Sequence, residues 1–176
     1  MKQGFVKVAS ATPRIRVADP VYNAQVICEQ AKEAAEHGAK IVVFPELCIT
    51  GYTCNDLFLQ ELLLEKAKEA LLTIVEETGQ LEALFLVGLP VDKDGRLYNV
   101  AAVLYRGRIL GMIPKKNIPM YAEFYEGRHF TPGEETVTEY RLGKQEIPFG
   151  TNLLFRCEEL PELILGCELC EDLWVA

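Results

Sequence analysis

Hydrophobic and polar positions along the chain change period several times, and each change predicts an element. Residues 4–9 alternate and read as a strand. From Asp19 to His37, Ile27, Ala31, Ala34 and Ala35 recur at helical spacing. Asp19 can cap that helix, Pro20 suits its first position, and Gly38 ends it. Lys40–Phe44 is a short apolar, β-branched run of the kind buried on both faces of a sheet. A second helix is predicted from about Asp56 to Glu77, rich in Leu, Glu, Lys and Ala and ending at Gly79. Another buried strand follows at Ala83–Leu89. Asp94-Gly95 is a hairpin turn signal, so Leu97–Tyr105 and then Arg108–Ile113, joined through Arg106-Gly107, read as antiparallel strands. Residues 114–150 hold Pro114, Pro119, Pro132, Gly133 and Pro148 and read as loop. Two strands near 152–157 and 163–169 close the series.

The order β-α-β-α-β, then antiparallel strands, implies an α/β protein with a mixed sheet covered by helices. The later strands are expected in a sheet that packs on another sheet. Composition narrows this further. The 176 residues are 49% hydrophobic and 25% charged, enough apolar material for a packed core and too much for a disordered chain. A net charge of −8 without a basic run argues against binding a nucleic-acid backbone. No apolar stretch approaches the ~18 residues that suggest a membrane span. The start, MKQGFVKVAS, has no secretory h-region. Cys28, Cys48, Cys54, Cys157, Cys167 and Cys170 then read as reduced thiols of a cytoplasmic protein. The ending LGCELCEDLWVA stops in mid-pattern and is expected to be part of a longer domain.

Ligand sites in open α/β sheets lie beyond the carboxyl ends of strands. Glu46 follows the Ile41–Phe44 strand, Lys115 follows Arg108–Ile113, and Cys170 follows Leu163–Leu169. A carboxylate, an ammonium and a thiol make a workable acyl-transfer set. The thiol is a strong nucleophile once ionised, but its ordinary pKa of about 8.5 keeps it protonated. A carboxylate can take its proton and later give it to a leaving amine. An ammonium can stabilise the oxyanion. Such a set suits cleavage of an amide carbon–nitrogen bond. Other readings remain open from the residues alone. His129 could serve a Cys–His pair, whereas His37 falls at a helix end, where it suits the last carbonyls. Cys167 and Cys170 could form a redox pair, or join Cys48 and Cys54 at zinc. Cys28 reads as a small core residue, and Cys167, inside an apolar run, as core too.

Three stretches carry a resemblance: FPELCITGYTCNDLF (44–58), PKKNIPMYAEFYEGRHFTPG (114–133) and CELCEDLWV (167–175). They resemble the nitrilase (carbon–nitrogen hydrolase) superfamily, and within it the amino-terminal glutaminase domains of glutamine-dependent NAD synthetases. The resemblance spans nearly all of residues 1–176. It implies a four-layer α-β-β-α sandwich, incomplete here on its carboxy-terminal side. It implies that Cys170 attacks the side-chain amide of L-glutamine to form a γ-glutamyl thioester, with Glu46 as general base and acid. Lys115 would stabilise the oxyanion, helped by the backbone N–H of Glu171. Tyr121 and Glu171 match positions that hold the glutamine, and Tyr52 and Glu123 flank the triad motifs as supporting residues. No metal or cofactor is implied for these residues. ATP, magnesium and deamido-NAD would belong to a separate synthetase domain, which would receive the ammonia and whose phosphate loop this sequence lacks. A homo-oligomer is implied as well. The alternatives are an amidase or nitrilase acting on another small amide, and an inactive truncated module.

Overall fold

The computed structural model describes residues 4–175; residues 1–3, at the head of the stretch read for a signal, and Ala176 lie outside it. Strand β1 (Val8–Ser10) leads into helix α1 (Pro20–Glu36), which returns the chain to β2 (Ile41–Val43). The Asp19 carboxylate accepts a hydrogen bond from the Tyr22 N–H at the first turn of α1, and Pro20 occupies the first helical position. At the other end, His37 Nδ1 lies 2.8 Å from the Glu33 carbonyl, as its place at a helix terminus suggests. Helix α2 (Glu61–Glu77) then leads to β3 (Leu84–Lys93), β4 (Arg96–Tyr105) and β5 (Arg108–Pro114).

Three elements depart from the sequence reading. The predicted helix from Asp56 begins only at Glu61, because Tyr52–Leu59 winds as a short 3-10 segment. Asn55 in the left-handed region and an extended Gln60 break the α-helical path there. The expected loop at 114–150 also contains a hairpin, β6 (Thr138–Leu142) and β7 (Gln145–Phe149). Conversely, the last two expected strands shrink to a two-residue ladder, β8 (Phe155–Arg156) with β9 (Ile164–Leu165).

The larger sheet has seven strands in the order β1-β2-β3-β4-β5-β7-β6. The pairs β1–β2 and β2–β3 are parallel, while β3–β4 and β4–β5 are antiparallel. The antiparallel strands β3–β5 thus extend the same sheet as β1 and β2. This arrangement points β2, β3 and β5 the same way, so the carboxyl ends of β2 and β5 and the start of β4 meet at one end of the sheet.

One sheet face packs on the helices. Ile27 and Ala31 of α1 and Leu71 and Ile74 of α2 meet Phe85, Val87, Val100 and Ala102. The other face presents Leu84, Leu86, Ala101, Val103 and Ile113, covered in part by Leu153, Phe155, Cys167 and Leu169. Gly111 permits that contact: a Cβ there would lie 2.9 Å from Leu153 Cδ1 and about as close to the Phe155 ring. The strip of chain leading to Cys170 is thereby laid against the sheet. No helix among the described residues is long and apolar enough to cross a membrane.

Candidate active site

Glu46 lies just beyond β2, in a turn that closes tightly over β3. Leu47, completely buried, holds a positive φ of 53°. A bulky residue rarely adopts that conformation unless its surroundings enforce it. The enforcement is visible: the Ile49 N–H donates to the Gly88 carbonyl at 3.1 Å, and the Phe44 N–H to the Leu86 carbonyl at 2.9 Å. Gly88 is what lets the turn come so near. A Cβ at that position would stand 2.4 Å from the Leu47 nitrogen and 2.7 Å from the Pro45 carbonyl oxygen.

Lys115 follows β5 directly and is completely buried. Its backbone is fixed on both sides, the N–H donating to the Asn99 carbonyl and the carbonyl accepting from the Gly133 N–H, each at 2.8 Å. The ammonium donates to Glu46 Oε1 and to Glu126 Oε1, both at 2.7 Å. Burial by itself would lower the ammonium pKa; the two carboxylates outweigh it and hold the group above its usual value. An ammonium has three N–H bonds. Two are committed here, and the third makes no hydrogen bond among the described residues.

Two residues absent from the sequence-based set complete this centre. The Glu126 side chain is only 4% exposed and accepts from Lys115, from the Tyr52 hydroxyl at 2.7 Å and from Asn99. Asn99, fully buried in β4, donates from Nδ2 to Glu46 Oε1 at 2.6 Å and to Glu126 Oε2 at 3.3 Å. Tyr52 therefore reaches this centre through its hydroxyl. Glu123 does not: it is exposed and forms no side-chain hydrogen bond to Glu46, Lys115 or Cys170 among the described residues. The Phe124 N–H bonds to the Tyr121 carbonyl across a turn with Ala122 at positive φ. That turn leaves Glu123 in solvent, and Glu126, three residues later, is the carboxylate that turns inward.

Cys170 opens a short 3-10 turn (Cys170–Leu173) and is exposed, with a positive φ of 46°. Asp172 ties this turn to the Lys115 loop. Its carboxylate accepts from the Asn117 N–H at 2.7 Å, from Asn117 Nδ2 at 3.1 Å and from the Leu169 N–H at 3.2 Å. Cys170 lies within electrostatic reach of the buried cluster. Partial desolvation of the thiol raises its pKa most, Lys115 opposes this, and Glu46, Glu126 and Glu171 push it further up. At neutral pH the Cys170 thiol is thus protonated, and it would need a base to become reactive. The Tyr121 hydroxyl donates to Glu171 Oε2 at 2.7 Å, so the two residues expected to hold substrate meet beside Cys170.

The loop carrying Glu126 is pinned from outside. Arg128 grips Asp56 through two hydrogen bonds, at 2.7 and 2.9 Å, and His129 Nε2 lies 3.0 Å from Asp56 Oδ1. Arg128 first, and then His129, hold the Asp56 carboxyl well below the usual carboxylate range. His129 is thereby engaged away from the thiol, its ring edge-on to Phe58. All six cysteines are free. Burial pushes Cys48 up to about 12 and Cys28 and Cys167 up to about 11, as suits core thiols. Among the described residues no three His, Cys, Asp or Glu side chains gather as a metal site, so the four cysteines considered for zinc do not assemble.

The carbon–nitrogen hydrolase family model matches residues 7–176. The chain belongs to the carbon–nitrogen hydrolase family. It is 40% identical over 174 residues to the glutamine-dependent NAD(+) synthetase of Mycobacterium tuberculosis strain H37Rv, and 31% identical to that of Thermotoga maritima. Each alignment takes in 99% of this chain and 26% of the relative's length. A solved glutamine-dependent NAD(+) synthetase from Cytophaga hutchinsonii superposes with a TM-score of 0.87 at 28% identity, over 95% of this chain and 28% of that one. An amidase from Nesterenkonia sp. superposes at 0.61 with 23% identity, over 81% and 54% of the two chains, a likeness of fold alone. The mixed α/β fold of this chain is therefore that of nitrilase-like hydrolases.

Proposed function

We propose that this chain carries the glutamine-hydrolysing site of a glutamine-dependent NAD synthetase and releases ammonia from the side-chain amide of L-glutamine. One observation carries the reading: a buried ammonium held between two carboxylates, beside a protonated thiol on a strained turn.

The chemistry follows from those groups. Glu46 takes the Cys170 proton as Sγ attacks the amide carbon. This transfer moves charge without adding any, and so avoids placing an uncompensated thiolate among Glu46, Glu126 and Glu171. The remaining N–H of Lys115 and the backbone N–H of Glu171 donate to the oxyanion of the tetrahedral intermediate. Glu46 returns the proton to the leaving nitrogen, ammonia departs, and a γ-glutamyl thioester remains on Cys170. Water then attacks the thioester as Glu46 accepts its proton. Collapse breaks the carbon–sulfur bond, gives glutamate, and restores the thiol with the proton from Glu46. Tyr121 and Glu171 hold the amino-acid end of the substrate.

Similarity to the mycobacterial synthetase over nearly the whole chain favours glutamine over other amides. In that reading ATP, magnesium and deamido-NAD are bound by a synthetase domain, which consumes the ammonia. The test is turnover of glutamine against asparagine and simple aliphatic amides, in the parent and in Cys170→Ala. Preference for glutamine that vanishes in the variant is expected. Equal or faster hydrolysis of an aliphatic amide assigns the site to a different amidase.

A further inference from the structure

Asn99 has no place in the three-residue chemistry, yet it is fully buried and bonds to both carboxylates of the centre. It lies inside β4 between buried Tyr98 and Val100, paired with Pro90 of β3. Nδ2 faces two acceptors, Glu46 Oε1 and Glu126 Oε2. Those neighbours fix the orientation of the amide, since the flipped form would turn Oδ1 toward two carboxylates. The consequence is that Oδ1 is buried with no hydrogen-bond partner. Buried polar atoms are rarely left so, because desolvation goes uncompensated. The fold tolerates this one in order to keep Nδ2 on the carboxylates.

Glu46 Oε1 already accepts from Lys115 Nζ. With Asn99 added, that oxygen holds two charge-assisted bonds, and Oε2 holds none among the described residues. We infer that Asn99 is a positioning residue for Glu46: it commits Oε1 to the buried cluster and leaves Oε2 as the oxygen that exchanges the proton with Cys170 and with the leaving nitrogen. Asn99 acts through Glu46 and touches neither substrate nor thiol.

The inference rests on the amide-hydrolysing reading, and its test separates the two. kcat and KM for glutamine are measured in the full chain, in Asn99→Leu and in Asn99→Asp. The first variant removes both donors at similar volume. The second keeps the shape of the side chain and replaces donors by a carboxyl group, so it carries the test if the leucine variant fails to fold. kcat is expected to fall about tenfold or more in both, the loss of a charge-assisted bond being worth at least that. KM stays within about threefold, because a residue that does not touch substrate leaves ground-state binding in place. An unchanged kcat, or a loss carried by KM alone, in a folded and active protein overturns the inference alone. A parent that hydrolyses no amide overturns the activity and the inference together.

Discussion

The Lys115 ammonium and the Glu126 carboxylate lie 2.7 Å apart, with the lysine side chain wholly buried and the glutamate nearly so. Glu46 meets the same ammonium at the same distance from the more open side, its side chain 18% exposed. The cluster carries two negative charges against one positive, which only a dense set of donors makes tolerable. Tyr52 and Asn99 supply those donors.

Removing the cation should therefore be worse than neutralising an anion. Lys115→Met strands one buried and one half-buried carboxylate and is expected to destabilise the fold by about 3–5 kcal/mol, the range for breaking a buried pair from one side. Glu126→Gln keeps the shape and removes the excess charge, and should lose clearly less. Urea unfolding midpoints check the order, and a more stable Lys115→Met would reverse it. Because the folded-state pKa of Lys115 is raised, its stabilisation is complete below the ordinary lysine value of about 10.4 and fades only as pH rises through the folded value.

Gly88→Ala offers a different probe. The added methyl would press on the Leu47 nitrogen and the Pro45 carbonyl, so the turn bearing Glu46 must move. A displacement of about 1 Å at a catalytic group can reduce turnover on the order of a hundredfold. Loss of that size in kcat is expected. Wild-type kcat in a folded Gly88→Ala protein would show that Glu46 does not need this placement.

Glu46 raises the Cys170 pKa, so Glu46→Gln should let the thiol ionise at lower pH than in the parent. Turnover should nonetheless fall by about 10²–10⁴-fold, the usual contribution of a general acid–base. Iodoacetamide labelling against pH gives the first quantity and ammonia release the second. Faster hydrolysis accompanying the more ionised thiol would remove Glu46 from the proton path.

Asp56 links the 3-10 segment after β2 to the loop bearing Glu126. Its folded pKa is depressed, so its contribution is present above the ordinary value of about 3.9 and is lost as pH falls below it. Asp56→Asn should lower the thermal midpoint at neutral pH, and the difference from the parent should close in acid. A gap that does not narrow as pH falls below ~3.9 would mean that the carboxylate charge is not what pins the loop.

Much of this site was legible because apolar runs give strand direction: Glu46 and Lys115 follow β2 and β5, and Cys170 follows an apolar run of which only Ile164–Leu165 forms a strand. Asn99 left a subtler mark, a lone polar residue in the buried stretch Leu97–Leu104. Glu126 had no such mark, since its run also contains the exposed Glu123, and only the turn around Ala122 decides which carboxylate faces inward. The β6–β7 hairpin was hidden for a related reason. Its inward residues Tyr140, Ile147 and Phe149 alternate with charged ones, while Pro148 and Gly143 suggest loop. Pro148 is accommodated near the end of its strand, opposite Glu139.

The central claim is that Cys170, and no other thiol, is the nucleophile for a glutamine side chain. A diazo-ketone mimic of glutamine, reacted with the full chain and located by peptide mass mapping, tests it most directly. The account predicts one equivalent of label, on Cys170, lost in Cys170→Ala and slowed by competing glutamine. Label on Cys167 or another cysteine, with Cys170 unmodified, would contradict it.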